Sequence, residues 1–94
     1  MNYRIHPKAE DDILSAMDYF ALDSPKAARN WHAVIKEKCR RLGETPGMGI
    51  SRPELQVGIR TLSVGSYLLI YRSLSGTVDI LRILHGARQW QDLL

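Results

Sequence analysis

The second half of the chain contains three apolar runs separated by two very short turns. The runs are IRTLSV (59–64), YLLIYRS (67–73) and VDILRILH (78–85), and the turns are Gly65-Ser66 and Ser75-Gly76. Short runs rich in isoleucine, leucine, valine and tyrosine are typical of β-strands, and such tight turns join antiparallel neighbours. The pattern therefore predicts a three-stranded antiparallel meander, around which the rest of the chain must fold.

These strands are apolar at both odd and even positions. The last run alternates Leu81, Ile83 and His85 with Ile80, Arg82 and Leu84. Since successive strand residues point to opposite faces, we expect Arg82 to point away from His85, unless an intervening β-bulge reverses this. Apolar residues on both faces indicate that the second face is also covered, by a partner if the chain has no element to spare.

The first half of the chain predicts one strand and two amphipathic helices. NYRIH (2–6) alternates as a strand does and must stop at Pro7, because proline disfavours helix in the residue before it. Apolar residues recur at helical spacing over residues 8–22, and Ser24 is suited to cap a second helix that ends at Gly43. The two helices form an antiparallel hairpin whose apolar stripes need a sheet to cover.

These elements combine into an α+β fold with the order βααβββ. The first strand can pair with the meander to give four strands, so that the helical hairpin packs on one face of a small, twisted, mainly antiparallel sheet. Residues 43–58 contain four glycines and two prolines and are expected to form the longest irregular loop. With 94 residues, the chain is expected to be a single domain, 1–94, without room for a second catalytic domain.

The composition is that of a soluble globular domain, with 45% hydrophobic and 24% charged residues. No apolar run approaches the roughly 20 residues that a membrane helix needs. The N-terminal residues 1–12 have no apolar core of a secretory signal, so we expect a cytoplasmic protein. The single cysteine, Cys39, cannot form an internal disulfide and is expected in the helix core.

The net charge is +3, and the type of cation changes along the chain. Lysines stop at Lys38, and every later cation is an arginine: Arg40, Arg41, Arg52, Arg60, Arg72, Arg82 and Arg88. The planar guanidinium suits bidentate contacts to carboxylate or phosphate, which favours an anionic partner. The alternative is that these arginines are solvated and stack over apolar neighbours at the flanks of the sheet.

No motif predicts a catalytic centre, a metal site or a cofactor. His85 could exchange protons near neutral pH, but no carboxylate follows closely to orient its ring, so a structural role at the Gly86 turn is favoured. No pair of histidine or acidic residues has metal-ligand spacing, and GETPGMG (43–49) lacks the lysine and hydroxyl pair of a phosphate loop. Trp31 lies on the core stripe of the second helix, whereas Trp90 is more available for stacking.

Three segments resemble the ParE branch of the RelE/ParE superfamily of bacterial toxin-antitoxin toxins: PGMGISRPEL (46–55), GIRTLSVGSYLLIYR (58–72) and VDILRILHGARQW (78–90). With the order βααβββ, the resemblance covers essentially the whole chain. Gln89 departs from the acidic residue that is expected after the arginine of such HGAR motifs. The resemblance implies a small toxin held inactive in a hetero-oligomer by a co-expressed antitoxin, whose C-terminal segment wraps the toxin.

The resemblance also divides the function into two classes. RelE-like members cut messenger RNA on the ribosome, whereas ParE-like members poison DNA gyrase. Cleavage through the 2′-hydroxyl needs a base, an acid and a cationic group at one phosphate. An arginine could supply the charge and His85 the base, but after His85 only Asp92 could supply the acid. We therefore expect a non-enzymatic gyrase inhibitor, with a RelE-like, ribosome-dependent endoribonuclease as the alternative and a nontoxic binding protein as a distant third.

For a non-enzymatic gyrase inhibitor, we expect no catalytic residue, no metal and no cofactor. The candidates for contact with the antitoxin or the target are Arg60, Tyr71, Arg72, Arg82, His85, Arg88 and Trp90. Arg60 and Arg82 are the strongest candidates for ion pairs with the antitoxin. RILHGARQW (82–90) is then a recognition surface for another macromolecule.

Overall fold

Residues 2–86, which the computed structural model describes, form two helices and five strands. In chain order the elements are β1 (Asn2–Ile5), α1 (Pro7–Ala21), α2 (Pro25–Glu44), a 3-10 turn (Pro46–Met48), β2 (Ile50–Ser51), β3 (Ile59–Val64), β4 (Tyr67–Leu74) and β5 (Thr77–His85). The predicted α+β class and the order of strand, two helices and meander are confirmed. The prediction is wrong in one element, because β2 lies inside the segment assigned to an irregular loop.

The strand order in the sheet is β1-β5-β4-β3-β2. β3, β4 and β5 form the predicted antiparallel meander, and β2 adds an edge strand antiparallel to β3. β1 joins the meander as predicted, and it does so in parallel with β5, from Asn2 opposite Thr77 to Ile5 opposite Ile80. Because β1 has only four residues, it leaves the edge of β5 uncovered beyond Ile80.

Side-chain caps explain where the two helices begin. His6 caps α1, because its Nδ1 accepts a hydrogen bond from the Lys8 amide at 3.2 Å. Ser24 caps α2 as predicted, and its hydroxyl accepts a backbone amide of the first turn at 3.0 Å. α2 continues through Gly43 to Glu44, one residue beyond the predicted end, because its last turn still closes backbone hydrogen bonds. Neither helix of residues 2–86 is long and apolar enough to cross a membrane.

The helical hairpin buries its apolar stripes against one face of the sheet. Ile35, Cys39 and Leu42 of α2 are fully buried in one cluster with Leu69 and Ile80 of the strands. Full burial of each leucine or isoleucine stabilises the fold by roughly 1.5–3 kcal/mol. Cys39 lies in the helix core as predicted, and burial raises the pKa of its thiol to about 11.

The opposite face of the sheet, here called the open face, carries a second apolar cluster of Ile59, Leu68, Ile70 and Leu84. None of the four is more than 8% exposed. Leu55, between β2 and β3, packs against this cluster. Apolar residues on both faces are thus confirmed. The expectation that the second face is also covered is confirmed for these four residues, which the chain itself buries without a partner.

Candidate functional site

A β-bulge in β5 determines which candidate residues share a face. It lies at Leu81, where the pairing of β4 with β5 shifts register. Beyond the bulge the alternation is regular, so that Arg82 lies opposite Ile70 on the open face and His85 lies opposite Tyr67 on the helix side. The prediction that Arg82 points away from His85 is therefore confirmed, because the bulge does not lie between them.

Three charged residues lie side by side across the open face, with Arg4 on β1, Asp79 on β5 and Arg72 on β4. Nε and Nη2 of Arg4 lie 2.9 and 2.8 Å from one carboxylate oxygen of Asp79. The Nε atom of Arg72 is buried and has no hydrogen-bond partner within residues 2–86. Arg72 therefore carries an uncommitted donor in a desolvated position.

Arg82 is held by an acidic residue of α1 that the sequence pattern does not single out. Asp12 accepts hydrogen bonds from Nε and Nη2 of Arg82 at 2.8 and 3.0 Å, and from the Ile83 amide at 2.9 Å. The hydrogen bond to Asp12 is the main reason why the pKa of Arg82 is raised. Asp12 closes the strand edge that β1 leaves uncovered. No local signal could reveal this contact, since the residues are 70 positions apart.

Tyr71 and Arg60 fasten the segment that leads into β2. The Tyr71 hydroxyl accepts a hydrogen bond from the Gly49 amide at 2.8 Å and donates one to the Pro46 carbonyl at 2.7 Å. Nη1 of Arg60 donates to the Gly49 carbonyl at 2.8 Å. Tyr71 is fully buried, and this burial raises the pKa of its hydroxyl. In the isolated chain the Tyr71 hydroxyl thus holds backbone together and does not reach a binding surface.

His85 is exposed at the end of β5, and its ring packs edge-on against Tyr67 with the centroids 5.4 Å apart. It lines a cleft of about 380 Å³ between α1 and β5, together with Asp12, Tyr19 and Tyr67. Burial raises the pKa of Tyr67, which makes this hydroxyl a weaker acid. The described residues that line the cleft include no lysine or arginine. Phosphodiester cleavage needs a cation that stabilises the developing charge, and within residues 2–86 the arginine that contacts this cleft's lining is Arg82, through Asp12.

Two of the predicted contact residues, Arg88 and Trp90, lie outside the described residues. Trp31 packs against Phe20 and Tyr67 with ring centroids 5.5 and 5.1 Å apart, which confirms its place on the core side of α2. In the described part of the chain, no three histidine, cysteine or acidic residues are grouped so that they could hold a metal ion.

Comparisons with known proteins identify relatives of this architecture. Residues 3–90 match the family model for the ParE toxin of type II toxin-antitoxin system, parDE. A chain in the solved structure of the chromosomal ParDE TA system from P. aeruginosa is similar in fold, with a TM-score of 0.78 and 25% sequence identity over 90% of this chain and 95% of that chain. A comparison with curated proteins finds no match. The resemblance predicted from the sequence is confirmed over most of the chain.

Proposed function

Because this chain belongs to the ParE toxin family of type II toxin-antitoxin systems, we propose that it arrests growth by inhibiting DNA gyrase and that a cognate antitoxin neutralises it. It acts by binding its target and catalyses no reaction. The observation that carries this proposal is the placement of two arginines: Arg72 lies on the opposite face of the sheet from His85, and the guanidinium of Arg82 is bound to Asp12.

The placement of these two arginines argues against cleavage of RNA. A base and a cationic stabiliser must both reach one phosphate, within hydrogen-bond distance of the reacting atoms. His85 lies on the helix side, whereas Arg72 lies on the open face. Arg82 reaches Asp12 at the wall of the His85 cleft, but it uses two of its N–H groups on that carboxylate. The described residues thus do not assemble a ribonuclease site around His85, which supports a binding role for the end of β5.

The antitoxin is proposed to lie along the open face and its edge, where arginines offer partners for carboxylates. Arg60 and Arg82 are the candidates. Arg60 lies on the helix side of β3, opposite Tyr71, and each of the two arginines already donates to an acceptor within the chain. Replacement of either by alanine should weaken the complex by about 1–3 kcal/mol if the antitoxin desolvates that arginine, and by under about 1 kcal/mol if it stays at the rim. Unchanged affinity in both variants would remove them from the interface.

Two assays on the purified toxin separate the two functional classes. We expect inhibition of gyrase supercoiling and no ribosome-dependent cleavage of messenger RNA. The variant His85→Gln, which cannot act as a base near neutral pH, should still arrest growth, as should the control His32→Gln. Arg88→Ala or Trp90→Ala should reduce growth arrest while the fold is retained. A folded His85→Gln protein that binds antitoxin but has lost toxicity, beside a wild type that cuts ribosome-bound RNA, would establish the ribonuclease instead.

Growth experiments test the antitoxin. Expression of the chain alone should stop growth, and co-expression of a short neighbouring reading frame with an amphipathic, acidic C-terminal half should restore it. Healthy growth during strong production of soluble protein would contradict a toxin role.

A further inference from the structure

A cavity of about 350 Å³ lies where β1 ends and α1 begins, and it is distinct from the cleft beside His85. It is lined by Arg4, Ile5, His6, Pro7, Arg72 and Asp79. Two arginines and a histidine thus face one aspartate around a single space. This excess of donors and positive charge indicates a ligand that is an anion.

Asp79 does not neutralise the whole cavity. One of its carboxylate oxygens accepts from Nε of Arg4 at 2.9 Å, and Nη2 of Arg4 lies 2.8 Å from the same oxygen. Arg72 stands next to Asp79 across the strands, but no ion pair within residues 2–86 includes it. The charge of Arg72 therefore remains uncompensated by any described acidic residue.

Arg72, which lines the cavity, also has a buried polar atom, its Nε. That atom has no hydrogen-bond partner within the described residues, although an unpaired buried N–H is costly. If the Arg72 side chain turns to present this N–H to the cavity, a ligand that accepts the hydrogen bond removes that cost and brings a compensating negative charge.

His6 adds a further donor. Its Nδ1 accepts the hydrogen bond of the Lys8 amide, so in the neutral ring the hydrogen is on Nε2. The neutral imidazole, which lines the cavity, therefore keeps an N–H group as its second hydrogen-bonding atom and no further acceptor. Together with the two guanidinium groups, it supplies donors from three side chains, which is more than the two oxygens of one carboxylate can use.

From this arrangement we propose that the cavity of Arg4, His6, Arg72 and Asp79 binds a phosphate group. This property belongs to the chain's own residues and holds whether or not gyrase is the target. The phosphate can belong to a free anion or to a phosphodiester of DNA, and both present the same tetrahedral oxygens to the arginines.

NMR titration of the full chain with inorganic phosphate tests this site, with chloride keeping the ionic strength constant. We expect saturable shifts of the His6 and Lys8 amides and of the Arg72 Nε–Hε signal, with a millimolar Kd. Arg72→Gln should weaken binding about tenfold or more, because it removes a charge-assisted donor. Arg29→Gln is the matched control, since it removes an equal charge from an exposed position on α2 and should leave Kd unchanged.

Further arms distinguish the source of the phosphate. A short DNA duplex that shifts the same signals and competes with inorganic phosphate supports a phosphodiester ligand, whereas phosphate binding alone supports a small free anion. Arg72→Lys should bind with intermediate affinity, and the wild-type Arg72 signal decides the test if Arg72→Gln does not fold. The proposal is overturned if no saturable shift occurs at these residues, if Arg72→Gln binds as well as Arg29→Gln, or if acetate binds as tightly as phosphate.

Discussion

Removal of one hydroxyl group, by Tyr71→Phe, should destabilise the fold strongly although it leaves the apolar core almost unchanged. The hydroxyl accepts the Gly49 amide and donates to the Pro46 carbonyl. The Gly49 amide then remains buried without an acceptor, which costs about 1–3 kcal/mol, whereas the lost bond to the Pro46 carbonyl costs about 0.5–1.5 kcal/mol net. Since the Pro46 carbonyl is partly exposed and can recruit water, we expect a total loss of about 2–3 kcal/mol.

Thermal and urea unfolding of the purified toxin measure this loss. For a chain of 94 residues, each kcal/mol lowers Tm by about 4–8 °C, so Tyr71→Phe should lower Tm by roughly 10–20 °C. The control is Tyr19→Phe, which removes the same group from a residue that is 65% exposed. This control should change stability by less than about 0.5 kcal/mol.

The comparison of the two tyrosines also shows what would refute the reasoning. If Tyr71→Phe were as stable as Tyr19→Phe, the hydroxyl would not be holding the segment before β2. The amide hydrogen of Gly49 offers a second readout, because its exchange with solvent should be slow in the wild type and accelerated by Tyr71→Phe. Equal exchange in both proteins would likewise contradict the contact.

Three further substitutions or treatments probe other contacts. Gly49→Ala would place a Cβ 2.5 Å from the Tyr71 hydroxyl, so urea unfolding should show a loss of about 1–3 kcal/mol. Asp12→Asn leaves a partly buried guanidinium on β5 without its counter-charge and should cost about 1–3 kcal/mol by the same measurement, whereas Asp11→Asn, at an exposed position, should cost under about 0.5 kcal/mol. The Cys39 thiol, whose pKa burial raises to about 11, should react slowly with a thiol reagent in native protein at pH 8 and quickly in urea. Because burial favours the neutral thiol, the contribution of Cys39 to the free energy of unfolding is complete below pH 9 and is lost as pH rises through about 11. In alkaline unfolding, the stability of Cys39→Ala should therefore fall less steeply with pH than that of the wild type.

The parts of the fold that the sequence predicts are those whose signals are local. The helices and the meander have their own periodicity, and Ser24 marks the start of α2 with a cap that it makes one turn away. β2 has no such signal, because two residues cannot show a period. Ile50 and Ser51 become a strand only by pairing with Thr61 and Arg60 of β3.

The candidate site was predictable as a set of residue types but not as a geometry. The excess of arginine over lysine directs attention to β3, β4 and β5, yet the contacts of each arginine depend on residues that are distant in the sequence. Arg82 meets Asp12 from another element, and Arg60 meets the carbonyl of Gly49. The sequence predicts Tyr71 as a contact residue for the antitoxin or the target, because it does not reveal that the hydroxyl bonds the backbone of Pro46 and Gly49.

The short first strand explains why Arg4 and Arg82 each have an acidic partner while Arg72 has none among the described residues. β1 ends at Ile5 because a helix begins at Pro7, and the edge of β5 beyond Ile80 must then find another partner. Asp12 fills that place on the Ile83 amide and also takes the guanidinium of the neighbouring Arg82. Where β1 does cover β5, Asp79 pairs with Arg4 of β1 itself, and no described acidic residue remains for the next arginine along the row. The length of β1 therefore determines which part of the β5 edge is paired. It also determines that Arg72 on β4, beside the cavity where α1 begins, is the arginine of this row without an ion-pair partner among the described residues.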